Sequence, residues 1–122
     1  MSQKIKLLYV DDEDSLRILV KNQLVSEGFE VDTADDGDTA VEILQKKQYD
    51  IILLDIRMPR MNGIDVLKYL KQNKIRPRVI MLTAVDDLSI AIESLKNGAN
   101  DYITKPYDLD NLLNCIQRVL AK

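Results

Sequence analysis

Ile51-Ile52-Leu53-Leu54-Asp55-Ile56-Arg57-Met58-Pro59 is the stretch on which the fold turns. Four consecutive aliphatic residues, two of them β-branched, read as a strand covered on both faces, as in a parallel sheet. The strand delivers one acid, Asp55, to its end, and Pro59 marks the loop that follows. A helical period then runs from about Asn62 to Asn73. Strand, polar turn and helix in that order make half of a βαβ unit.

The same unit repeats in both directions. Towards the N-terminus, Ile5 to Val10 is a second continuous apolar run. Asp14 is the expected cap of the helix after it, with Leu16, Leu19, Val20 and Leu24 on one face and Glu27-Gly28 at its end. Glu30 to Ala34 alternates as a half-exposed strand, and Gly37 to Lys47 forms a short helix with Ala40, Val41 and Leu44 inward. Towards the C-terminus, Val79 to Leu82 is a strand ending at Thr83-Ala84, and Asp87 to Asn97 is a helix closed by Gly98. The short strand Tyr102-Ile103 meets Lys105-Pro106. Asp108 caps a last helix whose Leu109, Leu112, Leu113, Ile116 and Val119 form the clearest amphipathic stripe in the chain.

Five strands alternating with five helices make an α/β, (βα)5 arrangement, a doubly wound parallel sheet with right-handed crossovers. The expected order is the flavodoxin-like 2-1-3-4-5. All four glycines sit at helix edges, so none marks a linker, and the expectation is one domain over residues 1–122.

Bulk composition narrows the chemistry. The 122 residues are 46% hydrophobic and 30% charged with a net charge of −3, which speaks against direct nucleic-acid binding. A single Cys allows no internal disulfide, and Cys115, beside the last helix's stripe, is expected to be inert. Neither a membrane-span-length apolar run nor a signal-peptide core is present, so the expected setting is the cytoplasm. The complete lack of histidine removes Ser-His-Asp and Cys-His catalysis, His-ligated zinc and an imidazole base.

Ligands of open α/β sheets bind beyond the carboxyl ends of the strands, where strand order reverses. Asp11 and Asp12 follow the first strand, Asp55 the third, Thr83 the fourth and Lys105 the fifth. Three acids brought together repel one another, and a hard oxygen-seeking cation relieves them. Mg2+ (or Mn2+) suits such a set, and an Asp beside it can attack phosphorus to form an acyl phosphate. A lysine and a hydroxyl then flank the transferring group.

These positions carry a family likeness. Val10-Asp11-Asp12-Glu13, Leu53-Leu54-Asp55-Ile56-Arg57-Met58-Pro59 with Gly63, Leu82-Thr83-Ala84 and Lys105-Pro106 together resemble the receiver domains of response regulators in two-component signalling, the CheY-like family. Each motif alone is weak; four in order, each at a strand end, are specific. The resemblance implies that Asp55 is the phosphoacceptor and that Asp11 and Asp12 bind the metal, Asp12 more directly. It implies the Arg57 backbone carbonyl as a further metal ligand, Thr83 as the switch hydroxyl and Lys105 as the phosphoryl's partner. It places Tyr102 where the family has an aromatic that swings inward, a reading that stands level with plain packing. Lys105-Pro106 matches a bond typically cis in the family.

The resemblance also implies the partners. A histidine kinase or histidine phosphotransfer protein would donate the phosphoryl group, docking near Leu16 and Arg17. The surface of the fourth helix, fifth strand and fifth helix would pass the change to an output domain, a target protein or a second receiver in a dimer. The protein would not be a conventional enzyme, catalysing only its own phosphorylation and slow dephosphorylation. Arg57 and Val85 match positions that tune phosphoryl lifetime; an apolar Val85 and a shielding Arg57 would make that lifetime long. The chain ends just after its last helix, and both a stand-alone regulator and a receiver joined to an output domain fit this. A degenerate receiver is disfavoured because acids and lysine are all kept. An aspartyl phosphatase of related fold would want a second Asp where Arg57 stands.

Overall fold

In the computed structural model, which describes residues 4–122, five strands alternate with five helices. The strands are β1 (Lys6–Val10), β2 (Glu30–Ala34), β3 (Ile51–Asp55), β4 (Arg78–Thr83) and β5 (Asp101–Thr104). The helices are α1 (Asp14–Ser26), α2 (Gly37–Lys46), α3 (Gly63–Gln72), α4 (Leu88–Lys96) and α5 (Leu109–Leu120). All strand pairs are parallel and the order is β2-β1-β3-β4-β5, as expected. Residues 1–3 of the expected domain lie outside the described residues.

Side-chain alternation along the strands builds two cores. Leu8, Val10, Ile52, Leu54, Val79 and Met81 face one layer, with α2 residues Ala40 and Leu44, α3 residues Val66, Leu67 and Leu70, and Ala91 of α4. Leu7, Tyr9, Ile51, Leu53, Ile80 and Leu82 face the other, against Val20 and Leu24 of α1 and Leu112, Ile116 and Val119 of α5. Every residue of β3 is buried, which is why it is an apolar run up to its last residue, Asp55. Each such aliphatic side chain contributes roughly 1.5–3 kcal/mol on burial.

Local signals end most helices where the sequence placed them. Asn62 and Asp65 form a reciprocal capping box at the start of α3. Asp36 and Asp108 cap α2 and α5 by accepting from the amides of Thr39 and Asn111. Three expectations are corrected. Asp14 does not cap α1; Glu13 is the N-cap without a side-chain bond, and Asp14 lies in the first turn paired with Arg17. Leu19 is 53% exposed, because the buried positions of α1 advance four residues at a time through Val20 and Leu24 and leave Leu19 on the flank. The segment starting at Val85 is a 3-10 turn, Val85–Asp87, and α4 begins only at Leu88.

Candidate functional site

The carboxyl ends of β1 and β3 lie side by side, with Val10 opposite Leu54. Asp11 and Asp12 leave β1 there, and Asp55 is the last residue of β3. Carboxylate oxygens of Asp11, Asp12 and Asp55 all lie within 4.8 Å of one another. Asp11 and Asp55 are buried, while Asp12 is exposed at the mouth. An open cavity of about 430 Å3 adjoins the acids, its wall including Asp12, Arg57, Met58 and Asn62.

Lys105, just beyond β5, reaches across the strand ends. Its Nζ donates to Asp11 Oδ2 at 3.1 Å and to Asp55 Oδ2 at 3.2 Å. Strand alternation explains the meeting: Leu7, Tyr9 and Asp11, then Ile51, Leu53 and Asp55, then Ile103 and Lys105 follow the same side of the sheet. One ammonium faces three carboxylates, so the cluster keeps an excess of negative charge. Burial pushes the Asp55 carboxyl up to about 6; Lys105 opposes this and Asp11 and Asp12 add to it. Burial also works against the Lys105 ammonium, but Asp55 and Asp11 outweigh it and hold its pKa above the ordinary lysine value. Such a donor set, all oxygen and under-neutralised, fits a hard divalent cation.

The other expected residues take distinct places. Thr83 ends β4, is 1% exposed, and donates its hydroxyl to the Ala84 carbonyl at 3.0 Å rather than to Asp55. Tyr102 lies on β5 opposite Met81, half-buried against the core that α2, α3 and α4 cover. The Arg57 amide donates to Asp55 Oδ1 at 3.3 Å, so its backbone lies beside the acid. Its side chain turns elsewhere: Nε and Nη2 grip the two oxygens of Asp87 at 2.8 and 2.7 Å. The Arg57 guanidinium is thus paired with Asp87 and not with the acids of the cluster. The Lys105-Pro106 peptide is cis.

Sequence reasoning missed several groups around the site. Tyr9 is fully buried and donates to Asp11 Oδ2 at 3.2 Å, and its oxygen lies 2.9 Å from that of Tyr107. A tyrosine two residues before Asp11 on a buried strand shares its face, so the first contact was legible in the spacing. Tyr107 and Asp87 gave no local signal, since their partners lie 98 and 30 residues away. Arg17, expected in kinase docking, donates to the Asp11 carbonyl at 2.8 Å and braces the loop carrying the acids.

Comparison with known proteins matches the family described as response regulator receiver domains over residues 7–117. The chain is 41% identical over 115 residues to the regulatory protein AtoC of Escherichia coli, covering 94% of this chain and 25% of that protein. It is 39% identical over 116 residues to the chemotaxis protein CheY of Bacillus subtilis, covering 94% and 97% of the two. The solved structure of Vibrio cholerae chemotaxis protein CheY4 superposes with a TM-score of 0.89 at 34% identity, over 96% of this chain and 99% of that one. The Francisella response regulator 1452 receiver domain gives a TM-score of 0.89 at 33% identity, over 97% and 98%. The chain belongs to the response regulator receiver family of two-component signalling, and its fold is the CheY-like one. It spans the length of some relatives and only a quarter of AtoC. The family is not one of conventional enzymes, and among the described residues no helix is long and apolar enough to cross a membrane.

Proposed function

We propose that residues 1–122 form a phosphoacceptor switch of a two-component or phosphorelay system, with Asp55 as the acceptor. The observation that carries this reading is Lys105 Nζ bridging Asp11 and Asp55 beside the open, exposed Asp12. An Asp55 carboxylate oxygen attacks the phosphorus of a phosphohistidine on another protein. The P–N bond breaks, a P–O bond forms, and the leaving imidazole takes up a proton. None of these 122 residues is a histidine, so the donor histidine lies outside them.

Asp12, Asp55 and the Arg57 carbonyl would hold Mg2+ (or Mn2+) directly, with Asp11 behind them. The cation, when bound, offsets the negative charge gathering on the phosphoryl oxygens. Lys105 pairs with the phosphoryl group from the β5 side. Thr83 exchanges its bond to the Ala84 carbonyl for one to a phosphoryl oxygen, and Tyr102 responds on the same face of the sheet. The displaced β4–α4 segment alters the α4-β5-α5 surface, which controls an output domain or target, or pairs with a second receiver. Relatives such as AtoC and the DNA-binding transcriptional regulator NtrC of Escherichia coli, both much longer than this chain, support an output domain. A histidine kinase or phosphotransfer protein would dock by α1, and the whole would act in the cytoplasm.

Incubation with Mg2+ and acetyl phosphate, read by mass spectrometry of the intact protein, tests the assignment. The expected result is a gain of one phosphoryl group, lost in Asp55→Asn. A gain that persists in Asp55→Asn, on another residue, overturns it.

A further inference from the structure

The role of the two phenols behind Asp11 follows from how that carboxylate is satisfied. Asp11 is fully buried. Its Oδ1 accepts the Glu13 amide at 2.9 Å, and its Oδ2 accepts both Lys105 Nζ and the Tyr9 hydroxyl. A hydroxyl has one proton to give. Since Tyr9 spends it on the carboxylate, the contact at 2.9 Å between the phenols must be Tyr107 donating to Tyr9. A directed chain, Tyr107 to Tyr9 to Asp11, therefore runs through the α1–α5 core into the acidic cluster. The β5–α5 loop is thereby tied to β1 on both sides of Pro106, by Lys105 to Asp11 and by Tyr107 to Tyr9.

We infer that Tyr9, oriented by Tyr107, is a positioning residue that fixes Asp11 and remains as the donor on Asp11 Oδ2 when Lys105 turns to the phosphoryl group. The inference rests on the phosphoacceptor reading above. A buried carboxylate that loses one of two donors at the same oxygen is left under-satisfied, which opposes the departure of the lysine. With Tyr9 in place, Lys105 can leave Asp11 at less cost. Without it, Lys105 stays closer to Asp11, where its positive charge disfavours a divalent cation, and Asp11 gains freedom to rotate. Both effects weaken cation binding and slow phosphorylation.

Three variants test this: Tyr9→Phe, Tyr107→Phe and the double substitution. The readouts are Mn2+ affinity by electron paramagnetic resonance, the rate of phosphorylation by acetyl phosphate, and urea unfolding as a check on folding. Tyr9→Phe is expected to weaken Mn2+ binding roughly 10-fold, the scale seen when an outer partner of a metal ligand is removed. Tyr107→Phe should shift affinity in the same direction by less. The double variant should be no worse than Tyr9→Phe, because Tyr107 acts only through Tyr9. Folded variants with wild-type affinity and rate, or affinity losses that simply add, overturn the inference and leave the phenols as packing. Should Tyr9→Phe not fold, a folded Tyr107→Phe with wild-type affinity and rate overturns it as well. A wild-type protein that binds no Mn2+ and gains no phosphoryl group sinks the phosphoacceptor reading instead, a different result from an unaltered variant.

Discussion

The Arg57 guanidinium grips Asp87 through two parallel hydrogen bonds, 2.8 and 2.7 Å long, joining the loop after Asp55 to the turn that opens α4. Arg57 is largely exposed, whereas the Asp87 side chain is only 6% exposed. A planar, two-pronged contact of this kind fixes geometry better than a single ammonium would. It ties the backbone beside the candidate phosphoacceptor to the segment expected to move when the switch is thrown.

Removing the guanidinium should loosen that segment. In Arg57→Ala, amide hydrogen exchange at residues 85–88 is expected to accelerate several-fold while the strands keep their protection. Hydrogen bonding to Arg57, against the opposing effect of burial, lowers the Asp87 pKa below the usual carboxylate value. A lowered folded pKa contributes stability that is present above the unfolded value, near 4, and is lost as pH falls through the folded one. The difference between variant and wild type should therefore be full at pH 7 and fade below about pH 4. Unchanged exchange at pH 7 would show the pair to be ornamental.

Asp55 has the opposite sign. Its folded pKa is raised from 3.8 to about 6, chiefly by burial, so the native state holds a proton that the unfolded chain has already lost. Stability in the absence of metal must then fall as pH rises from about 4 to about 6, and the full cost of ionisation is present above that. A shift of this size corresponds to about 3 kcal/mol at most, and local relaxation reduces it to about 1–2 kcal/mol. Asp55→Asn should be more stable than wild type by that amount in urea with EDTA at pH 7.5, with the gap narrowing towards pH 4.5. An equal or lower stability at pH 7.5 would contradict a buried, charged Asp55.

Gly63 is required by a close approach. A Cβ at this position would run into the Asp55 carbonyl and the Ile56 Cα, both backbone atoms that cannot rotate away. Gly63→Ala is expected to cost about 1–3 kcal/mol, the scale of forced overpacking. It should also slow phosphorylation, because relief of the clash pushes on the backbone of Asp55 and Ile56. Urea midpoints and acetyl phosphate kinetics measure the two effects. Wild-type values for both would mean that the loop yields without disturbing Asp55.

If Asp55 accepts a phosphoryl group, the groups that meet the attacking water are expected to set its lifetime. Val85, at a position that the family resemblance ties to phosphoryl lifetime, is apolar and 66% exposed at the start of the 3-10 turn. Phosphorylated protein is expected to lose its label slowly, and Val85→Glu to shorten the lifetime several-fold by supplying an acceptor. Decay of the phosphoprotein after removal of acetyl phosphate measures this. A wild-type half-life of only seconds would refute the slow-decay expectation.

The chain of 122 residues determined its strands, its helices and the placement of its candidate chemistry. The stretch 51–54 is apolar on both faces because β3 is covered on both sides, so burial wrote itself into local sequence. The positions of Asp11, Asp12, Asp55, Thr83 and Lys105 were legible because each ends or follows a strand, and parallel strands bring those ends to one edge. What the tertiary structure alone decided is which way each side chain turns. Arg57 meets Asp87, Tyr107 meets Tyr9, Leu19 falls outside the core, and Glu13 rather than Asp14 is the N-cap of α1. The physical reason is range. Periodicity and strand ends report the environment of a residue's own segment, whereas a hydrogen bond between residues 30 or 98 apart exists only after the sheet has set their distance.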